Sequence, residues 1–122
     1  MIVDSGLLTD LIRVLEIGDF KAKKEATWAI TNLTSGGSAE QIFKLVELGG
    51  MKPMCQMLSC DDGKIIQVVL DGLTNMLNMA DAHGKTEEMT ICIEECDAID
   101  HLERLQEHEN EVGFLANFIF YF

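Results

Sequence analysis

The chain has 122 residues, a formal net charge of −12 and 48% hydrophobic residues. That length supports one domain, or part of one, with a buried core, and the apolar content excludes a disordered chain. No apolar run reaches the roughly 20 residues that span a bilayer, and the negative charge argues against nucleic acid and for basic partners.

The opening MIVDSGLLTD lacks the basic region of a secretory signal. Four cysteines in such a chain read as reduced thiols rather than bridges. A cytosolic or nuclear address is therefore expected. The charge is uneven, with 10 acidic and 7 basic side chains in residues 1–80 but 11 acidic and 2 basic in residues 81–122.

A single proline, Pro53, and few β-branched alternations predict an all-α chain. Turn signals at IGD (17–19), TSGGS (34–38), GG (49–50), CDDG (60–63) and AHGK (82–85) separate the helical segments. The first helix is expected near 5–16, followed by a long one over 20–35, with Asp19 placed to cap it. Within that long helix Ala26, Ala29, Ile30 and Leu33 share the spacing of a core stripe. Trp28, the only tryptophan, falls instead with Glu25, Asn32 and Ser35, about a third of a turn away at roughly 100° per residue. Helices near 38–48, 51–59 and 63–80 follow, the last capped by Asp62. Methionines from Met51 to Met57 and from Met76 to Met79 have the spacing of core residues. The chain closes with helices near 86–95, 98–107 and 110–122.

Three segments superimpose: VDSGLLTDLIRVLEIGD from Val3, VELGGMKPMCQMLSCDD from Val46 and IEECDAIDHLERLQEHE from Ile93. Each pairs an aliphatic start with a leucine twelve residues on, namely Val3 with Leu15, Val46 with Leu58 and Ile93 with Leu105. The offsets of 43 and 47 residues are those of armadillo or HEAT repeats, whose stacked helical units share one core. The expected division is a partial repeat over 3–36, a full repeat over 38–81 and a last repeat over 85–122. The chain thus opens inside a repeat, as a piece of a solenoid. The first offset also carries Trp28–Asn32 onto Asp71–Asn75, so the asparagine recurs and the tryptophan does not. A lone tryptophan is more often buried than functional, but the recurring asparagine assigns Trp28 to an outward face.

Other chemistry is weaker. Cys92, Cys96 and His101 cross a helix boundary without a second ligand pair, so they read as packed thiols rather than a metal site. His83 and His108 read as loop and helix-end residues. Glu87–Glu88, Glu94–Glu95 and Asp61–Asp62 read as solvated faces with no nucleophile and base beside them. SGGS lacks the strand and lysine of a phosphate loop. No enzyme, metal or cofactor is expected.

KKEATWAITNLTSGG, IIQVVLDGLTNML, IEECDAID and LQEHEN resemble the last armadillo repeats of the importin α (karyopherin α) family, adaptors for basic nuclear localisation signals. The resemblance covers residues 3 to about 111. It implies an all-α, right-handed superhelical armadillo solenoid of about two and two-thirds repeats. It further implies a concave groove in which Trp28 and Asn32 belong to the minor signal-binding site, with Glu25 as acidic partner, Ser35 at the edge and Asn75 extending the ladder. Asp71 stands where that ladder would place another tryptophan. The implied partners are basic nuclear localisation signal peptides of cargo proteins, a nuclear export receptor and a nuclear-basket nucleoporin, with residence in cytoplasm and nucleus. The alternative is a structural or regulatory armadillo module that binds a folded partner on its outer helices. The chain departs from the family after HENE, where VGFLANFIFYF replaces an amphipathic helix and acidic tail. Phe114, Phe118, Phe120 and Phe122 cannot all face inward with their neighbours on one helix, so an exposed apolar patch and self-association are expected.

Overall fold

The computed structural model describes residues 5–96 and 98–106, together with Gly113 and Ile119. Among them the chain is helical and contains no strand. The order is α1 (Ser5–Ile17), α2 (Phe20–Gly36), α3 (Ala39–Glu47), α4 (Met51–Gln56), α5 (Gly63–Ala82), α6 (Thr86–Glu95) and α7 (Ala98–Leu105). A tighter 3₁₀ turn, Met57–Ser59, continues α4.

The chain marks its own helix starts. Asp19 precedes α2 and accepts a hydrogen bond from the Ala22 N–H at 2.8 Å. Ser38 opens α3 with a reciprocal box, accepting from the Gln41 N–H while the Gln41 side chain accepts from the Ser38 N–H. Asp62 opens α5, accepting from the N–H groups of Lys64 and Ile65. Both expected aspartate caps are present. Pro53 falls in the first turn of α4, where its missing N–H leaves no helical bond unmade. The chain reverses after α3 and α5 at Gly49 and Gly84, whose φ of 86° and 69° lie in the left-handed region.

One continuous core joins the helices. Leu8, Ile12 and Leu15 of α1 meet Ala26, Ile30 and Leu33 of α2, and the stack runs on through Met51, Met54, Leu73, Met76, Met89, Ile93 and Leu102 to Ile119. The three leucines aligned by the repeat offsets, Leu15, Leu58 and Leu105, are all buried. So are Met51, Met54, Met57 and Met76, while Met79 is half-buried at the margin. The principal partners of α2 are α5 and then α1.

The core stripe of α2 needs one correction. Ala29 is only half-buried, because the packed face of α2 is rotated toward Thr27, Thr31 and Thr34, all of which are buried. Each threonine hydroxyl satisfies itself on a main-chain carbonyl, so burial leaves no donor unpaired. Thr27 donates to Lys23 at 2.8 Å and Thr34 to Thr31 at 2.6 Å. Thr31 instead reaches across to the Val68 carbonyl of α5 at 3.0 Å. Opposite it stands Gly72, where an added Cβ would lie 2.8 Å from Thr31 Oγ1 and 2.5 Å from Met54 Cε. Glycine is favoured here by the close approach of Thr31 from α2 and Met54 from α4, not by backbone conformation.

Two expectations lie outside the described residues. These are the last helix near 110–122, of which only helical, buried Gly113 and Ile119 are described, and the apolar cluster of Phe114, Phe118, Phe120 and Phe122.

Gly72→Ala should lower stability by up to about 2 kcal/mol in urea unfolding. Overpacking costs roughly 1–3 kcal/mol and outweighs the gain of about 1 kcal/mol in helix propensity. Gly36→Ala, where an added Cβ meets nothing within 4 Å, should show no loss. Asp62→Ala should cost about 1 kcal/mol through the lost cap, and Asp62→Asn should restore most of it.

Candidate functional site

The outward line of α2 forms as the spacing predicts. Glu25, Trp28, Asn32 and Ser35 are all exposed, and Trp28 presents 41% of its surface. The Ser35 hydroxyl donates back to the Asn32 carbonyl at 3.0 Å, closing the last turn. The Asn32 side chain sits on the open side of the helix, one turn beyond the indole.

Asn75 stands on the neighbouring helix and is half-buried. Its Nδ2 donates to Thr34 Oγ1 at 3.1 Å, a bond between α5 and α2 that uses one of its two N–H donors. Four of the five residues named from the sequence thus share one helix face, and the fifth is linked to that helix through Thr34. Asp71, one turn before Asn75, is also half-buried.

Trp28 forms one wall of an open hollow of about 370 Å³, lined also by Lys21, Lys24, Glu25, Asp62, Lys64 and Ile65. Lys64 Nζ lies 5.8 Å from the centroid of the indole ring, a cation–π distance. Lys24 pairs with Asp62 at 3.7 Å while lying 5.2 Å over the Phe20 ring. These lysines were not singled out from the sequence, although the offset that carries Asn32 onto Asn75 also carries Lys21 onto Lys64. The chain's own cations therefore flank the aromatic face.

A second hollow, about 230 Å³, opens between α3 and α6 and is lined by Phe43, Val46, Glu47, Lys85, Glu88 and Met89. Phe43 meets the His83 ring edge-on at 6.0 Å and lies 5.9 Å from Lys85 Nζ.

The cysteines are unbridged. Cys92 and Cys96 are half-buried and packed against the core, as expected. His101 is not with them, because its Nδ1 meets Arg104 Nη2 at 2.9 Å on α7. Their neighbour is Cys55 of α4, fully buried. Among the described residues no group of three or more His, Cys, Asp or Glu side chains is placed to hold a metal ion, and no helix is long and apolar enough to cross a membrane.

Comparison with known proteins adds to this geometry. Residues 1–35 and 38–77 match the Armadillo/beta-catenin-like repeat. Importin subunit alpha-3 of Caenorhabditis elegans is 51% identical over 75 residues, which is 62% of this chain and 14% of that protein. The chain spans only 14–21% of the first curated relatives it matches. A computationally designed armadillo repeat protein for modular peptide recognition superposes with a TM-score of 0.78 at 30% identity, covering 95% of this chain and 46% of that one. A designed armadillo repeat protein in complex with the peptide (KR)4 gives a TM-score of 0.54 at 25% identity, covering 94% of this chain and 64% of that one. The chain belongs to the Armadillo/beta-catenin-like repeat family, and its similarity within that family is to importin alpha subunits.

Proposed function

We propose that this chain is part of a non-enzymatic nuclear import adaptor and holds an extended basic peptide, such as a nuclear localisation signal, along α2 and α5. The observation that carries the reading is the half-exposed Trp28 in line with Asn32. An indole face accepts the stem of a lysine and attracts its ammonium group, worth roughly 0.5–2 kcal/mol per contact. The side-chain amides of Asn32 and Asn75 each offer a donor and an acceptor, so they can hold a peptide main chain whatever its side chains. Glu25, one turn before Trp28, supplies an acidic partner, and Ser35 bounds the line. The designed relative that carries (KR)4 supports a cationic ligand on this architecture. The net charge of −12 draws such a ligand in from solution.

On this reading the repeats divide at 3–36, 38–81 and 85–122, and the protein works in both cytoplasm and nucleus. A second reading rests on the hollow between α3 and α6, where Phe43, Val46 and Met89 offer an apolar surface rimmed by Glu47 and Glu88. There the outer helices would meet a folded partner such as a nucleoporin or an export receptor.

Titration with a lysine-rich peptide, followed by Trp28 fluorescence, tests the first reading. Binding should be weak, with Kd of about 10 µM or higher, equivalent to about −7 kcal/mol, because one aromatic wall is available and Asp71 stands at the next. Salt should weaken it further. Trp28→Ala and Asn32→Ala should each reduce affinity with helix content unchanged. Lys64→Gln should raise affinity several-fold by removing the chain's own cation from the indole. Unchanged affinity in Trp28→Ala would reject the site.

A further inference from the structure

The starts of α2 and α5 bring three lysines into the hollow beside Trp28. Lys21 and Lys24 come from α2 and Lys64 from α5, and the carboxylates of the same lining are Glu25 and Asp62. The two carboxylates are not equally available. Asp62 Oδ1 accepts from the Lys64 and Ile65 N–H groups at 3.1 and 3.3 Å, and its Oδ2 faces Lys24 Nζ at 3.7 Å. Both of its oxygens are committed. Glu25 is left to balance Lys21 and Lys64, yet among the described residues neither lysine forms an ion pair. Both are exposed. Lys64 rests instead over the indole at 5.8 Å from the ring centroid, close to the outer limit of about 6 Å for a cation–π contact.

The hollow therefore holds three ammonium groups against two carboxylates. A ligand with only lysine and arginine side chains meets that excess and must displace Lys64 from the ring unaided. A ligand that also carries an aspartate or glutamate gives Lys64 a better partner, because an ammonium bonds a carboxylate more strongly than it holds an aromatic face at that distance. The carboxylate draws Lys64 aside, and the indole face opens for the lysine of the ligand. We propose that the chain selects basic peptides with an acidic residue a few positions from the lysine on Trp28, a selectivity that rests on the basic-peptide reading of this face. Lys64 and Lys21 take the carboxylate.

Helix geometry sets the spacing. Lys21 lies two turns before Trp28 on α2, roughly 10 Å at 1.5 Å per residue. An extended peptide advances about 3.3 Å per residue, so the acidic side chain belongs about three positions from the lysine. Two charges oppose it. Glu25 lines the same hollow, and the net charge of −12 repels an acidic group at long range. Screening removes most of the second effect beyond about 8 Å at physiological salt, and two lysines at contact outnumber one glutamate. The overall charge thus predicts weaker binding of an acid-bearing peptide, and the local geometry predicts tighter binding. The sign of the change separates them.

Two dye-labelled peptides with the same lysine–arginine core test this by fluorescence anisotropy at physiological salt. One carries aspartate three positions outside the core on each side, so chain direction does not matter, and the other carries asparagine there. The wild-type chain should bind the aspartate peptide about two- to fivefold more tightly, the scale of an exposed ion pair. Lys64→Gln should weaken binding of the aspartate peptide while strengthening that of the asparagine peptide, and Lys21→Gln should reduce the preference. Circular dichroism checks that each variant folds. Equal or weaker wild-type binding of the aspartate peptide would overturn the selectivity and leave the basic-peptide reading standing. A preference that persists in the Lys21→Gln, Lys64→Gln double variant would also overturn it. Binding of neither peptide would sink the basic-peptide reading and the selectivity with it.

Discussion

The packing of α2 on α5 sets everything else in this molecule. The two longest helices approach closely at one point, where Thr31 of α2 meets Gly72 and bonds the Val68 carbonyl of α5. A larger side chain at Gly72 would force Thr31 and Met54 to give way. The threonine stripe lets α2 use a second face against α5 while Ala26, Ile30 and Leu33 remain in the core. With two faces consumed by packing, the face carrying Trp28 is the one left to solvent. The exposed indole is thus a consequence of how the remainder of the helix is used.

That face carries a balance of charge that the overall composition conceals. The chain is strongly acidic, yet the hollow beside Trp28 contains Lys21, Lys24 and Lys64 against Glu25 and Asp62. Lys24 is partly neutralised by Asp62, and Lys64 rests over the ring. A long-range field that attracts cations meets a local cluster that resists them. Distance separates the two effects, because charges beyond about 8 Å are screened at physiological salt while an ammonium at an aromatic face acts at contact.

Helix positions were legible because caps, glycine reversals and a repeat offset all point to the same boundaries. Asp19, Asp62, Gly49 and Gly84 act locally, and local chemistry is readable in sequence. The outward placement of Trp28, Asn32, Glu25 and Ser35 was legible for the same reason, since it follows from helical spacing alone. The structure departs from that reading wherever tertiary approach decides. Ala29 fits the apolar spacing better than Thr27 or Thr31, but a threonine that bonds a carbonyl can be buried as readily as an alanine. Lys64 reaches Trp28 only because the start of α5 lies beside the middle of α2. Cys92 and Cys96 appear in sequence beside His101, yet their neighbour in space is Cys55, from a helix some 40 residues earlier.

The hydrogen bond from Asn75 to Thr34 has a further meaning. It joins an outward-facing amide of one helix to a hydroxyl buried in the seam with the other, so the position of that amide is set by the core. Asn32 rides on the same helix as Thr34. The separation between the two asparagines is therefore a fixed property of the fold, like the spacing of marks on a ruler. A chain lying along these helices would be measured against that spacing. Its register would be chosen by main-chain length per repeat, with side-chain chemistry deciding only which residue falls opposite the indole.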